Sequence, residues 1–239
     1  MVSRSLGPIV AALVLIGGGA LVPFVRAPAS GQTQPGVEVP AAPVAPLLPT
    51  PSVFPPAWLA FEHAWSNVTA YSTTITVFER KGTQTQNSVF DYTFRKPSSA
   101  TVHYNSGPNA GVTLAWSGGE SVVAHRGSGL MALFKKTFTL HDPTILTIRG
   151  SSIDQLSFAA ILTHSQGTPG TISQGAGPPV VDIPTDAVTL IPTSSVADTG
   201  LTHEIVDIST MTSLPLRVLG YEGETLVRQV DFTNVKLLK

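Results

Sequence analysis

Between residues 71 and 125, five runs rich in β-branched and aromatic residues follow one another with connections too short to hold a crossover helix. The runs are 71–80, 88–95, 101–105, 112–116 and 121–125. Parallel neighbours need a crossover of about a dozen residues or more, so these strands are expected to pair antiparallel, as a meander. The reversals carry the chemistry that turns require: Lys81-Gly82-Thr83, Pro97-Ser98-Ser99, Ser106-Gly107-Pro108-Asn109 and Ser117-Gly118-Gly119-Glu120.

A helix should precede the meander. From Ala57 onward, Trp58, Phe61, Ala64, Trp65 and Val68 recur at helical spacing, with Glu62, His63 and Ser66 on the opposite side. After the meander, Leu130, Leu133 and Phe134 lie in a segment without a clear period. A strand at 137–140, a turn at His141-Asp142-Pro143 and a helix over 153–163 follow, with Asp154 in that helix's first turn, where its charge suits the dipole. The stretch 164–184, with Gly167, Gly170, Gly175, Gly177, Pro169, Pro178 and Pro179, reads as a long mobile loop. Strands at 187–191, 201–208, 215–221 and 225–237 close the chain, the last two joined by Glu222-Gly223-Glu224.

The first 56 residues have a different character. Residues 6–25 carry no charge, between Arg4 and Arg26, and Ala27-Pro28-Ala29 follows. This is the layout of an export signal, with cleavage expected after Ala29. The alternative is an uncleaved anchor, because about 20 apolar residues suffice to span a bilayer. Between Ser30 and Pro56 there are eight prolines and no hydrophobic period, which reads as a linker. The expected organisation is therefore a signal or anchor over 1–29, a linker over 30–56 and one β-rich domain over 57–239. Such a protein is exported, periplasmic or otherwise extracytoplasmic, touching a membrane only through its N-terminal segment if that stays uncleaved.

Composition removes several classes of function. There is no cysteine, hence no disulfide, no acylated lipobox residue, no thiolate metal site and no cysteine nucleophile. A formal net charge of −1 gives no basic footprint for nucleic acid. The motifs G-x-S-x-G, H-E-x-x-H, a P-loop and a dinucleotide fingerprint are all missing from the sequence. Histidines 63, 103, 125, 141, 164 and 203 fall one to an element, without common metal-site spacing, and read as structural or solvent-facing. His141-Asp142 reads as turn chemistry before Pro143, and the sequon Asn67-Val68-Thr69 as a chance match. The expectation is a non-enzymatic protein with no cofactor and no metal.

Several motifs resemble the LolA-type lipoprotein carriers and their relatives. They are Leu214-Pro215 opening a strand, Phe232-Thr233-Asn234-Val235 closing the next, Tyr92-Thr93-Phe94-Arg95-Lys96-Pro97, and the turn Trp116-Ser117-Gly118-Gly119. The order of elements is especially similar to an uncharacterised exported bacterial branch of that superfamily, related also to RseB-type domains. The resemblance implies a mainly β (α+β) fold: an open, curved antiparallel half-barrel with helices covering the concave face and an apolar cavity between them. In the carriers that cavity holds the acyl chains of a lipoprotein.

On alternate strand positions Ile75 and Val77, then Phe90, Tyr92 and Phe94, then Leu114 and Trp116 share faces. The two expected helices offer Trp58, Phe61, Trp65, Leu156, Phe158, Ile161 and Leu162 to cover them. These fourteen side chains either fill a core or line a site for an apolar ligand. The leading reading is a carrier or binding protein for lipid, acyl chains or a lipidated protein. An envelope sensor or protein-interaction module of the RseB type is the alternative, and a hydrolase with scattered residues ranks last.

Overall fold

The computed structural model describes residues 54–127 and 135–239. The expected signal or anchor, residues 30–53 of the expected linker, and Leu130, Leu133 and Phe134 lie outside the described residues. Eleven antiparallel strands form one open sheet, flanked by helices α1 (Pro56–Ser66) and α2 (Phe158–Gly167). The strands are β1 (Ala70–Lys81), β2 (Gln84–Arg95), β3 (Ser99–Ser106), β4 (Val112–Trp116), β5 (Ser121–Arg126), β6 (Lys135–Thr139), β7 (Gly170–Ala176), β8 (Thr185–Pro192), β9 (His203–Ser209), β10 (Pro215–Glu222) and β11 (Thr225–Leu238). Their spatial order is β6-β5-β4-β3-β2-β1-β11-β10-β9-β8-β7. The chain thus starts in the middle of the sheet, steps outward to one edge, crosses over through α2, and steps back from the other edge. This is the open half-barrel with covering helices.

Alternation decides which side chains face the helices. In β1, Tyr71, Thr73, Ile75, Val77 and Glu79 are buried; in β2, Ser88, Phe90, Tyr92 and Phe94 are. Helix α1 opens with Pro56, whose missing N–H costs nothing at a first helical position. It buries Ala57, Trp58, Phe61 and Trp65. Phe54, just before it, stacks on Trp58 with ring centroids 6.2 Å apart. At its other end Lys96, from the Tyr92–Pro97 motif, donates from Nζ to the Trp65 carbonyl at 2.5 Å and sits 4.2 Å from the Trp65 ring. A cation there complements the negative end of the helix dipole and the ring face.

The helix expected over 153–163 is two elements. A 3-10 turn, Ile153–Leu156, ends at Ser157, whose extended backbone (φ −85°, ψ 155°) breaks the run; its hydroxyl then caps α2 by accepting from the Ala160 N–H. Two buried phenols hold this corner to the sheet. Tyr71 Oη accepts from the Phe158 N–H at 3.2 Å, and Tyr92 Oη donates to the Ile153 carbonyl at 3.3 Å. Burial pushes both phenols up.

The long mobile loop expected over 164–184 is corrected by the structure: α2 continues to Gly167, and residues 170–176 form β7. The glycines serve close approach there. A Cβ on Gly170 would lie 2.3 Å from the Ile191 carbonyl oxygen, and one on Gly177 2.3 Å from Thr185 Oγ1. As an edge strand in which Ile172 alone is partly covered, β7 has no reason to alternate apolar and polar residues. It still carries a structural duty, because Gln174 Oε1 accepts from the Ala57 N–H at the start of α1 at 2.9 Å.

Phe158 is the keystone of the helix layer: fully buried, stacked on Tyr71 at 4.4 Å, and in edge or tilted contact with Phe61, Trp65 and Phe232. Phe158→Ala should destabilise the protein by about 3–5 kcal/mol in urea unfolding. Leu59→Ala, on the exposed side of α1, should change stability by less than about 0.5 kcal/mol.

Candidate functional site

The fourteen candidate side chains are nearly all brought together. Thirteen are buried and Ile161 is partly buried. Trp58, Phe61, Trp65, Tyr92, Phe94 and Phe158 pack ring on ring with Tyr71 in the helix–sheet core. Ile75, Val77, Phe90, Leu114, Leu156 and Leu162 belong to the same buried cluster. Phe94, Trp116 and Ile161 also reach the wall of a cleft of about 510 Å³ beside α2.

A second concavity, of about 490 Å³, lies toward the other half of the sheet and contains none of the fourteen. The end of α1 gives it Ala64, and the following turn gives Val68. The Val180–Ile183 bridge, the β9–β10 turn with Met211 and Leu214, and the stretch of β11 from Phe232 to Leu237 complete it. Among the described residues no charged one lines it; Ser209, Thr212, Thr233 and Asn234 are its polar members. Its floor is buried, at Val68, Val180, Leu214, Leu216 and Phe232, while Val181, Met211 and Leu237 at its mouth are 72%, 76% and 61% exposed. Among the described residues there are six exposed large hydrophobics, and three of them ring this one groove. Such clustering is what distinguishes an interaction site from scattered surface apolar residues.

The 510 Å³ cleft is of another kind. Register places Gln86, Glu79, Arg228, Gly220 and Glu204 opposite one another across β2, β1, β11, β10 and β9, so a polar row crosses the helix-facing side of the sheet. Glu79 is buried and accepts from the Arg149 N–H and the Ser151 hydroxyl at 3.1 and 3.2 Å; Gln86 accepts from the Ile148 N–H at 3.0 Å. Arg149 in turn donates to the Arg80 carbonyl at 2.8 Å and forms a 2.8 Å ion pair with Glu222. At the other end of the row, His164 in the last turn of α2 places Nε2 3.1 Å from Asp198 Oδ1 and 2.9 Å from Glu204 Oε1. Both carboxylates are buried, and Arg228 Nη1 stands 3.7 Å from Glu204 Oε2.

The Asp198 carboxylate, and after it Glu204, push the imidazole up from 6.5 to about 10 against the effect of burial. Burial alone would raise the Glu204 carboxyl, but His164 and Arg228 outweigh it and hold the group below its ordinary value. Sequence reading missed this cluster. His164, Asp198 and Glu204 come from a helix end, a 3-10 turn (Ser195–Asp198) and a strand. No local spacing announces them.

No protein-family model matches the chain, and no curated protein matches it. Solved structures do resemble it, at low identity. A DUF1329 family protein from Desulfovibrio piger is 9% identical over 76% of this chain and 91% of its own, with a TM-score of 0.41. A putative outer membrane lipoprotein-sorting protein domain from Vibrio parahaemolyticus is 10% identical over 76% and 92%, at 0.39. A LolA superfamily protein from Nitrosomonas europaea is 9% identical over 77% and 94%, at 0.36. The LolA superfamily, which the sequence motifs resemble, is therefore also present among the chain's distant structural neighbours.

His164 keeps its proton in the folded state over an interval in which the unfolded chain has lost it. The contribution of this cluster to stability is present in full below about pH 6.5, declines as pH rises, and is gone above about pH 10. Unfolding free energies measured across that interval should fall more steeply for the wild type than for His164→Gln; parallel curves would show that no proton is held there.

Proposed function

We propose that the protein is an exported, non-enzymatic carrier or binding protein for an acyl chain, presented on a lipid or a lipidated protein. The observation that carries this reading is the uncharged 490 Å³ groove with its three exposed apolar residues at the mouth. Its volume falls in the ordinary range for small-molecule sites, roughly 300–1,000 Å³. A lining without charge leaves an anionic or cationic group no partner inside, so the part of a ligand that enters must be hydrocarbon. Each buried methylene contributes about 0.8 kcal/mol, so a chain of roughly ten supplies a gross ~8 kcal/mol before the costs of immobilisation. Polar Ser209, Thr212, Thr233 and Asn234 are suited to the ester or amide end of such a chain, and a free carboxylate would stay in the water at the mouth. Export through residues 1–29, a linker over 30–56 and a binding domain over 57–239 belong to the same proposal. The resemblance to LolA-type carriers supports it. Behind the groove, the fourteen core residues would form the rigid wall against which the floor is packed; Phe232 belongs both to that core and to the groove.

Purified protein should bind a long-chain fatty acid or a diacylated peptide saturably and melt at a higher temperature with it. Met211→Asp, a change at an exposed position, should leave the melting temperature of the free protein unaltered and weaken binding about tenfold, ~1.4 kcal/mol. The peptide without its acyl chains should not bind. Equal binding of the bare peptide would favour an RseB-like protein-docking module instead, and no saturable binding of any acylated probe would end the carrier reading.

A further inference from the structure

We infer that His164, Asp198 and Glu204 form a binding site for a divalent transition metal ion, with zinc the best match to the donor set. Three donor atoms, one imidazole nitrogen and two carboxylate oxygens, lie within 4.8 Å of one another. Tetrahedral zinc with bonds of about 2.0–2.1 Å sets its donors about 3.3 Å apart. The observed separations from Nε2, 3.1 and 2.9 Å, are within a few tenths of an ångström of that spacing.

Hydrogen bonding by itself satisfies the cluster poorly. One ring N–H cannot point at two oxygens, and Nε2 makes no contact of hydrogen-bonding geometry with either. Asp198 is 1% exposed, and its second oxygen, Oδ2, has no hydrogen-bond partner among the described residues. Buried polar atoms are nearly always paired, so an imidazole nitrogen held by two carboxylates at ion-pair distance only, next to a buried carboxylate with an oxygen unused, is poorly satisfied without a ligand. A dication that binds takes the place of the His164 proton, which is released to solvent, and two carboxylates then balance its charge, which makes their burial tolerable.

The surroundings fit a metal centre as well. Arg228 approaches Oε2 of Glu204 and leaves Oε1 directed at His164, the role of an outer partner that orients a ligating carboxylate. His164 has 39% of its side chain exposed and lines the 510 Å³ cleft with both acids, so an ion has a way in and a fourth position open to water. Calcium takes about six to eight oxygens where the site offers one from each of two carboxylates, and an imidazole favours zinc over magnesium. The three ligands tie α2, the Ser195–Asp198 turn and β9 together, so the bound ion would clamp the crossover onto the sheet.

Untagged protein stripped with EDTA, then dialysed against zinc and passed through a desalting column, should retain one zinc per chain and melt at a higher temperature. Asp198→Asn and Glu204→Gln keep the side-chain shapes and should each lower zinc affinity by about tenfold or more. His103→Gln, at an exposed histidine bonded to Thr113, should have no effect. X-ray absorption at the zinc edge of the wild type, which needs no variant to fold, should show one imidazole among nitrogen and oxygen ligands. Failure to retain zinc, unchanged affinity in the folded Asp198→Asn or Glu204→Gln protein, an imidazole-free zinc shell, or equal binding of calcium would each overturn the proposal.

Discussion

β1 and β11 pair in the middle of the sheet, with Ala70 opposite Leu238 and Glu79 opposite Arg228, although they lie at opposite ends of the domain's chain. Their ladder slips by one residue at a bulge near Thr73, whose hydroxyl donates to the Thr233 carbonyl at 2.7 Å across a sequence separation of 160. Each half of the domain is by itself a simple meander of neighbouring strands. Only this pairing joins the two meanders into a single curved surface, and its entropy of closure is the largest single loop cost in the fold. The helix layer depends on it too. Phe158 packs on Tyr71 from β1 and Phe232 from β11 at once.

Given that join, the helix-facing side of the sheet divides into unlike regions. Aromatic residues of α1, α2, β1 and β2 make a closely packed wedge whose polar atoms are mostly taken up by backbone partners. Toward the Glu79 end the same strands expose a row of charges to the crossover, and residues 148–151 are held there by side-chain acceptors on the sheet. Gly220 sits in that row without a side chain, and Leu201 packs into the space, its methyls 3.1 and 3.2 Å from where a Cβ would be. The small residue lets Glu204 and Arg228 approach across it. At the end of the sheet near Leu214, apolar residues from the β9–β10 turn and the tail of β11 open to solvent as the groove. One sheet is thereby divided into a packed wedge, a charged row and an open apolar groove, so a concave surface stands beside a rigid core.

Antiparallel pairing, the two helices and the membership of the core follow from residue type and period, because these are local properties: turn chemistry every few residues, alternation in strands, and helical spacing of Trp58, Phe61 and Trp65. β7 escaped that logic. An edge strand gains its order from a neighbour's ladder, and glycines that permit close approach look, in sequence, like glycines that permit motion.

The sequence by itself therefore determined the antiparallel β-rich class, the order of most elements and the apolar side chains that leave water, since burial and pairing preferences are written in each short segment. Only the tertiary structure decided where the cluster and the groove lie. Asp198 and Glu204 lie 34 and 40 positions after His164, and the three meet because the last turn of α2 brings His164 against the Ser195–Asp198 turn and β9. The apolar groove arises where Val68, Val180, Met211 and Leu237 converge from four separate segments. A cavity is the space that packing leaves unfilled, and no residue or local pattern encodes it; it exists only once the two meanders have closed on β1 and β11.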